Sequence, residues 1–197
     1  MGFVTAGGRS SRMGRDKAWL ELGGRPMIAH VLDALRPVVT EIAVIANREE
    51  YASLSVQVVA DSNHGIGPIE AVRTSLAASR CDRVALVGCD LPFVTPELFS
   101  YLLSRVGRHQ SVVPLDRGNM PEPLCAIYSR SSLSEVERMI EAGQFKISPL
   151  FERVDTLFVG FDELSGLSGS DLFFENINTP EEYKRALALK TSGQYPQ

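Results

Sequence analysis

The sequence predicts a single α/β domain in three layers, with a mostly parallel sheet covered by helices on both faces. Three observations lead to this fold class. Short apolar runs of strand length alternate with segments whose apolar residues recur at helical spacing. The chain has 197 residues, enough for one large core, and no repeat or linker divides it. We therefore expect one domain over residues 1–190 and a flexible tail over 191–197.

Eight segments have the length and composition of strands. The first is Gly2–Thr5, which leads directly into a pair of glycines. The segment 83–88 is apolar throughout its centre, which is typical of a strand buried on both faces. The other strands are predicted at 41–46, 55–60, 111–114, 124–128, 156–159 and 173–177.

Five helices are predicted between and after these strands. Pro26 and Pro68 are expected to open the first two, because proline suits the first position of a helix. Thr95 is expected to cap the third helix through its hydroxyl. The fourth helix is predicted over 131–142 and the last over 180–189.

Composition excludes several classes of function. The formal net charge of -4 argues against a nucleic-acid partner, and no apolar run approaches the length that spans a membrane. The three cysteines lack the spacing of a zinc site, which favours reduced thiols. The three histidines are scattered, and a structural role is expected for each. The first residues lack the features of a secretory signal, so we expect a cytoplasmic protein.

The segment 6–17, Ala-Gly-Gly-Arg-Ser-Ser-Arg-Met-Gly-Arg-Asp-Lys, follows the first strand and carries the clearest functional signal. Gly7 and Gly8 allow the backbone to approach a ligand closely, because no Cβ stands in the way. The hydroxyls of Ser10 and Ser11 and the backbone N–H groups can surround an anion. Four basic residues accompany a single acid here. The segment predicts a triphosphate-binding loop, with a solvated turn as the alternative.

Two common phosphate-binding patterns do not fit this loop. Five residues separate Gly8 from Gly14, and no Gly-Lys-Ser or Gly-Lys-Thr follows, so it is not a P-loop. Gly7 and Gly8 are adjacent and the third glycine of the dinucleotide fingerprint is missing. A different type of nucleotide-binding loop is indicated.

Polar or glycine residues also follow four of the predicted strands. Thr5-Ala6-Gly7 ends the first strand, Asn47 and Asp61 follow the next two, and Asp90 follows 83–88. If these strands are parallel neighbours, their ends meet at the edge of the sheet where α/β proteins bind ligands. Asparagine and aspartate also end strands because they favour turns, so each position alone is a weak signal.

Asp90 is the most specific of these residues. It lies between an apolar strand and Leu91-Pro92-Phe93, a stiff turn that fixes the direction of the carboxylate. A carboxylate beside a phosphate loop is a suitable ligand for Mg²⁺. A turn or helix-capping role is the alternative, although Thr95 is already available as the cap. We expect Asp90 to hold Mg²⁺.

Four motifs together resemble one known family, the molybdenum cofactor guanylyltransferases. They are the 6–17 loop, Gly67-Pro68, Asp90-Leu91-Pro92-Phe93 and the late Asn176-Ile177-Asn178-Thr179-Pro180-Glu181. The resemblance runs from the first predicted strand to the last helix. It implies a Rossmann-like fold of the nucleotide-diphospho-sugar transferase type.

The resemblance implies that GMP is transferred from GTP to the terminal phosphate of molybdenum-bound molybdopterin, giving molybdopterin guanine dinucleotide and pyrophosphate. Lys17, Asp90 and Arg12 would then be catalytic. Asn176 and Asn178 would lie on the pterin side. This function also implies two kinds of protein partner: molybdenum-insertion proteins and the chaperones of molybdoenzymes. The nucleotide would contact Thr5, Ala6, Gly7, Gly8, Ser10, Ser11, Lys17, Asn47, Asp61, Gly67 and Asp90.

The residues leave two alternatives open. A related transferase could use CTP, for the same pterin or for a sugar or polyol phosphate, because base choice depends on a few hydrogen bonds that the loop does not reveal. A non-catalytic GTP-binding chaperone is the second alternative. Two positions depart from the family pattern: Thr5 stands where leucine is usual, and Glu70 lies where a small, glycine-containing segment is common and adds a carboxylate near the expected anion site.

Overall fold

The computed structural model describes residues 1–6, 16–61 and 66–191, and these form a seven-stranded sheet with helices on both faces. The strands of the sheet are β1 (Gly2–Thr5), β4 (Ile42–Ile45), β5 (Gln57–Val59), β6 (Arg83–Gly88), β7 (Ser111–Pro114), β8 (Cys125–Ser129) and β9 (Thr156–Val159); β2 (Glu21–Leu22) and β3 (Arg25–Pro26) form a separate hairpin. The α-helices are α1 (Met27–Leu35), α2 (Pro68–Ala78), α3 (Pro96–Ser104), α4 (Leu133–Glu141), α5 (Leu150–Arg153), α6 (Phe161–Leu164) and α7 (Pro180–Thr191). Short 3₁₀ helices cover Lys17–Trp19, Glu49–Leu54, Arg130–Ser132 and Ser170–Leu172.

The strand order is β5-β4-β1-β6-β8-β7-β9. The first four strands in this order are parallel to one another, and β7 is parallel to β9. Strand β8 is antiparallel to both of its neighbours, β6 and β7. Since β8 reverses direction between them, β7 and β9 run the same way as β6. The prediction of a mostly parallel sheet is confirmed, and six carboxyl ends share one edge of it.

Alternate residues of the central strands supply two separate cores. Val4 of β1 and Val87 of β6 pack in one cluster with helices α1 and α3. Phe3 and Leu86, their neighbours in sequence, pack in the other with α2, α4 and α5. Because side chains alternate across a strand, both faces of the sheet are covered. The expected three-layer α/β architecture is confirmed.

Helix starts follow the sequence closely, with one correction. Thr95 caps α3, where its hydroxyl accepts a hydrogen bond from the Leu98 N–H at 3.5 Å. Pro68 is the first residue of α2, as expected. Pro26 does not open α1. It pairs with Glu21 across the β2–β3 hairpin, and α1 begins one residue later at Met27.

The strand expected at 173–177 was wrong. A 3₁₀ helix covers Ser170–Leu172, and irregular chain leads from there to α7. Phe173 and Ile177 are buried in different clusters, so their apolar character serves packing and not a strand ladder. Helix α7 extends to Thr191, and the tail expected beyond it lies outside the described residues. Among the helices that the structure describes, none is both long and apolar enough to cross a membrane.

Candidate active site

The ends of four parallel strands meet at one edge of the sheet. The Ala6 N–H donates to the Ile45 carbonyl at 2.9 Å, and the Cys89 N–H donates to the Thr5 carbonyl at 3.0 Å. The Ala46 N–H donates to the Val59 carbonyl at 3.0 Å. These bonds continue the ladder one residue past each strand. They bring the segments that begin with Ala6, Asn47, Asp61 and Asp90 side by side.

Lys17 and Asp90 are in direct contact at this edge. Lys17 Nζ donates to Asp90 Oδ2 at 2.7 Å and to Asn178 Oδ1 at 2.8 Å. The side chains of Lys17 and Asp90 are 17% and 19% exposed, so both are partly removed from water and still open to a ligand. A cation, a carboxylate and an amide oxygen, separated by 73 and 161 positions in sequence, therefore share one point in space.

The backbone on either side fixes the Asp90 carboxylate. The Leu91 N–H donates to the Gly88 carbonyl at 3.2 Å, which closes a tight turn around Asp90. The Asp90 carbonyl accepts from the Ile177 N–H at 2.9 Å and so holds the segment that carries Asn178. A Cβ on Gly88 would collide with Asp90 Oδ1, which explains the glycine at the end of β6.

We expect Gly88→Ala to lower turnover by about tenfold or more, because the added methyl group displaces the Asp90 carboxylate from its working position. Gly88 has no positive φ that would make alanine strained, so thermal stability is expected to change little. Steady-state kinetics and thermal unfolding measure the two effects. Gly166→Ala is the matched control, since a Cβ there meets no described atom within 4 Å. Equal activity in both variants would contradict this explanation of Gly88.

Asn178 is held at the entrance to α7. Glu182 Oε2 accepts from the N–H groups of Asn178 and Thr179 at 2.7 and 2.9 Å, and the Glu182 N–H donates to the Thr179 hydroxyl at 3.2 Å. This reciprocal arrangement is a capping box. The hydrogen bonds from the two backbone N–H groups lower the pKa of Glu182. Asn176 Nδ2 donates to the Phe174 carbonyl at 3.4 Å, within the same loop.

Asn47 joins the ends of β4 and β5. Its Nδ2 donates to the Asp61 carbonyl at 2.8 Å, and its Oδ1 accepts from the Asp61 N–H at 2.9 Å. The paired bonds fix the chain directions after both strands. The expectation that Asn47 and Asp61 contact the nucleotide stays a prediction, but the structure does place the two residues together.

Gly67 and Glu70 lie at the start of α2. Gly67 has φ +102°, a conformation that favours glycine, and it directly precedes the helix. Glu70 is only 1% exposed, and its carboxylate is bound by Arg73 Nε and Nη2 at distances between 2.6 and 3.1 Å. The Thr74 hydroxyl donates to it as well, at 3.3 Å. This carboxylate is therefore ion-paired inside the protein. Its negative charge is balanced by Arg73, so we do not expect it to repel an anion bound near the start of α2.

Most of the predicted phosphate loop falls between two described parts of the chain. The structure describes the chain up to Ala6 and again from Asp16. Five residues expected in the site therefore lie outside the described residues: Gly7, Gly8, Ser10, Ser11 and Arg12. The described parts do place the first strand's end and Lys17, the residues that flank the loop.

Glu122 is a further acidic residue close to the site. It lies in the loop between β7 and β8, at the same edge of the sheet as Asp90, and its N–H donates to the Pro114 carbonyl at 3.0 Å. Burial raises the pKa of Glu122 to about 7, helped by the nearby carboxylates of Asp116 and Asp90.

The raised pKa predicts a pH-dependent effect on stability. Folded Glu122 binds its proton more tightly than in the unfolded chain, so its contribution to stability falls as the pH rises from about 4.5 to about 7. We expect Glu122→Gln to raise the free energy of unfolding by about 1–2 kcal/mol at pH 8, once solvent screening of the half-buried carboxyl is allowed for. At pH 4.5 the gain should largely vanish.

Denaturant unfolding in EDTA at the two pH values measures this difference. Glu141→Gln, at an exposed position of α4, is the control and should change stability little at either pH. A gain from Glu122→Gln that is the same at pH 4.5 and pH 8 would contradict the assigned cause.

Comparisons with known proteins place the chain in a family. The family model described as a MobA-like NTP transferase domain matches residues 2–156. A probable molybdenum cofactor guanylyltransferase of Carboxydothermus hydrogenoformans is 33% identical over 186 residues, which cover 94% of each chain. The solved structure of molybdopterin-guanine dinucleotide biosynthesis protein A from Archaeoglobus fulgidus superposes with a TM-score of 0.82 at 27% identity, covering 97% of this chain and 98% of that one.

More distant structures support the fold alone. A 2-C-methyl-D-erythritol 4-phosphate cytidylyltransferase from Thermus thermophilus has a TM-score of 0.70 at 18% identity, over 97% of this chain and 98% of the other.

The expected fold of the nucleotide-diphospho-sugar transferase type is confirmed, and so is the resemblance that the motifs indicated. The chain belongs to the MobA-like NTP transferase family and is a nucleotidyltransferase.

Proposed function

We propose that this protein transfers GMP from GTP to the terminal phosphate of molybdenum-bound molybdopterin and releases pyrophosphate. The observation that carries the proposal is the contact of Lys17 with both Asp90 and Asn178 where the strand ends meet. The names of its relatives supply the substrate class, since relatives at 27 to 33% identity are named molybdenum cofactor guanylyltransferase or probable molybdenum cofactor guanylyltransferase. The names of these relatives support a role in molybdenum cofactor biosynthesis, and the Lys17 contacts support transfer chemistry at this site.

The chemistry needs charge neutralisation more than bond-making groups from the protein. Nucleotidyl transfer passes through a state in which negative charge grows on the transferring phosphate and on the leaving pyrophosphate. Lys17, fixed by two acceptors, supplies a positive charge at that point. The attacking phosphate of molybdopterin is already ionised, so the reaction needs no general base.

Two side-chain oxygen atoms at the site are suitable ligands for Mg²⁺. Asp90 Oδ2 and Asn178 Oδ1 are hard oxygen atoms that share Lys17 Nζ as a hydrogen-bond donor, so both already point at a common cation. We propose that Asp90 would hold the metal, with Asn178 beside it. Bound Mg²⁺ would supply further charge stabilisation to the phosphates. Arg12 and the loop residues Gly7, Gly8, Ser10 and Ser11 would complete the phosphate site.

Base and pterin contacts form the rest of the proposal. Thr5, Ala6, Asn47, Asp61 and Gly67 lie at the strand ends and at the start of α2, where they would border the nucleotide. Asn176 and Asn178 would face the pterin. A cytoplasmic location is proposed as well, because Cys81, Cys89 and Cys125 are free thiols. The product would pass to molybdoenzymes, with their chaperones as the protein partners.

Pyrophosphate release tests the proposal. Each of GTP, CTP, ATP and UTP is supplied with Mg²⁺, with and without molybdopterin. We expect turnover with GTP and molybdopterin together, and little with the other three nucleotides. A preference for CTP would overturn the choice of base and leave a cytidylyltransferase. Tight GTP binding with no turnover in the presence of acceptor would indicate a binding module instead of an enzyme.

A further inference from the structure

Residues 48–51, which we call the brace, follow the end of β4 and contact the segment 16–19. The Tyr51 hydroxyl donates to Asp16 Oδ2 at 2.7 Å, and Arg48 Nη1 lies 3.4 Å from the same oxygen. Trp19 Nε1 donates to Glu50 Oε1 at 3.1 Å. The Trp19 and Tyr51 rings pack with their centroids 5.5 Å apart. Four contacts thus tie the chain around Lys17 to the brace.

The bond between Tyr51 and Asp16 is the buried part of this contact. Tyr51 is fully buried, and Asp16 is 6% exposed. A buried carboxylate is costly unless hydrogen bonds satisfy it, and bonds to charged groups are stronger than neutral ones. Burial and the neighbouring carboxylate of Asp16 raise the pKa of Tyr51 well above its usual value, so the hydroxyl stays protonated and donates. Arg48 is half exposed, and water screens its charge.

The second oxygen of Asp16 sets the backbone that carries Lys17. Asp16 is the N-cap of the 3₁₀ helix Lys17–Trp19, and its Oδ1 accepts from the Ala18 N–H at 3.1 Å. A capping side chain fixes the first turn of a helix. Lys17 is the first residue of that turn. A shift of the Asp16 carboxylate therefore changes the position from which the Lys17 side chain extends.

We propose that Tyr51 and Asp16 act as a positioning pair, in which the buried Tyr51 hydroxyl anchors the Asp16 cap and thereby holds Lys17 on Asp90. The kinetic part of this inference rests on the proposed nucleotidyl transfer. Neither residue touches the reacting atoms, so both act through Lys17. Since the brace continues from Asn47, the pair also joins Lys17 to the strand end that holds Asp61.

Tyr51→Phe removes the hydroxyl and keeps the ring. We expect kcat to fall by roughly tenfold, because a small displacement of a charge-stabilising group acts mainly on the transition state. The KM for nucleotide should stay within about twofold, since Lys17 is only one of several binding groups. Tyr101→Phe is the matched control. Its hydroxyl also donates to a carboxylate, Glu163 Oε2 at 3.1 Å, and it should leave both constants unchanged.

A double variant separates positioning from general stability. If Tyr51 acts through Lys17, adding Tyr51→Phe to Lys17→Met should cause no further loss of kcat. A structural role would give the same fractional loss in both backgrounds, and that result would overturn the proposal. Asp16→Asn is a second test variant that keeps an oxygen for the Ala18 N–H, and it is expected to lower kcat in the same direction. Thermal unfolding of each variant verifies that it folds.

A measurement without substrate keeps this inference separate from the proposed function. Hydrogen exchange of the Ala18 N–H should be about tenfold faster or more in Tyr51→Phe than in the unmodified protein, and unchanged in Tyr101→Phe. Equal protection of Ala18 in all three would overturn the positioning pair, whatever the reaction. If the unmodified protein turns over none of the four nucleotides, the proposed function fails, and the exchange result still decides the inference.

Discussion

Asp90→Asn is expected to lower turnover by about a thousandfold, because it removes the charged ligand proposed for Mg²⁺ and the negative partner of Lys17. The substitution keeps the size of the side chain and an oxygen that can accept from Lys17. The side chain is partly exposed, so the free energy of unfolding should change by no more than about 1 kcal/mol. Nucleotidyl transfer at saturating GTP, measured beside thermal unfolding, gives both values.

The control for this variant is Asp155→Asn. Asp155 Oδ1 accepts a hydrogen bond from His109 Nδ1 at 2.9 Å. Asp155 directly precedes β9 and therefore lies at the edge of the sheet opposite Asp90. We expect nearly full activity from it. If Asp90→Asn kept its activity, or lost it only together with cooperative unfolding, Asp90 would be a structural residue and the proposed metal ligand would be wrong.

Lys17→Met is expected to lower kcat by about a hundredfold, the usual effect of removing one preorganised group that stabilises charge in a transition state. Methionine preserves most of the apolar stem and removes the ammonium group that contacts Asp90 and Asn178. The KM for nucleotide should rise less than kcat falls, because the charge on the transferring phosphate grows during the reaction. Steady-state kinetics over a range of GTP concentrations separate the two constants.

Lys184→Met, at an exposed position of α7, is the matched control and should leave both constants unchanged. A different result for Lys17→Met would change its assigned role. A rise in KM with kcat unchanged would mean that Lys17 binds the nucleotide equally in the ground and transition states. The account of charge stabilisation would then have to be abandoned.

Local patterns predicted most of the fold because each element followed its own signal. The apolar segment 83–88 gave β6, Thr95 and Pro96 marked the start of α3, and Pro68 marked the start of α2. The strand ends could also be placed, because parallel neighbours put Asn47, Asp61 and Asp90 at one edge. These features depend on residues close together in sequence or on a general rule of sheet topology.

The errors arose where tertiary contacts decided the structure. The sequence predicts a helix start at Pro26, but Pro26 pairs with Glu21 in the hairpin and α1 begins at Met27. The apolar residues of 173–177 suggested a strand, yet Phe173 and Ile177 fill two different clusters. Such packing has no short-range period that a sequence pattern could reveal.

Hydrogen bonds between side chains far apart in sequence also could not be predicted from local patterns. The bonds of Lys17 with Asn178 and of Asp16 with Tyr51 span 161 and 35 positions. Asp16 does lie in the 6–17 loop motif, directly before Lys17, and this position indicates that it belongs to the site region. Nothing in the motif indicated that a buried tyrosine hydroxyl would be its partner.

A crystal structure of the protein with GTP and Mg²⁺ tests the central claim most directly. We expect the triphosphate at the carboxyl edge of β1, β4, β5 and β6, with Lys17 Nζ on its phosphate oxygens and the metal on Asp90. A triphosphate seated elsewhere, for example at the opposite edge in the open cleft lined by Arg36, Thr40 and Arg80, with Lys17 and Asp90 still paired to each other, would contradict the account.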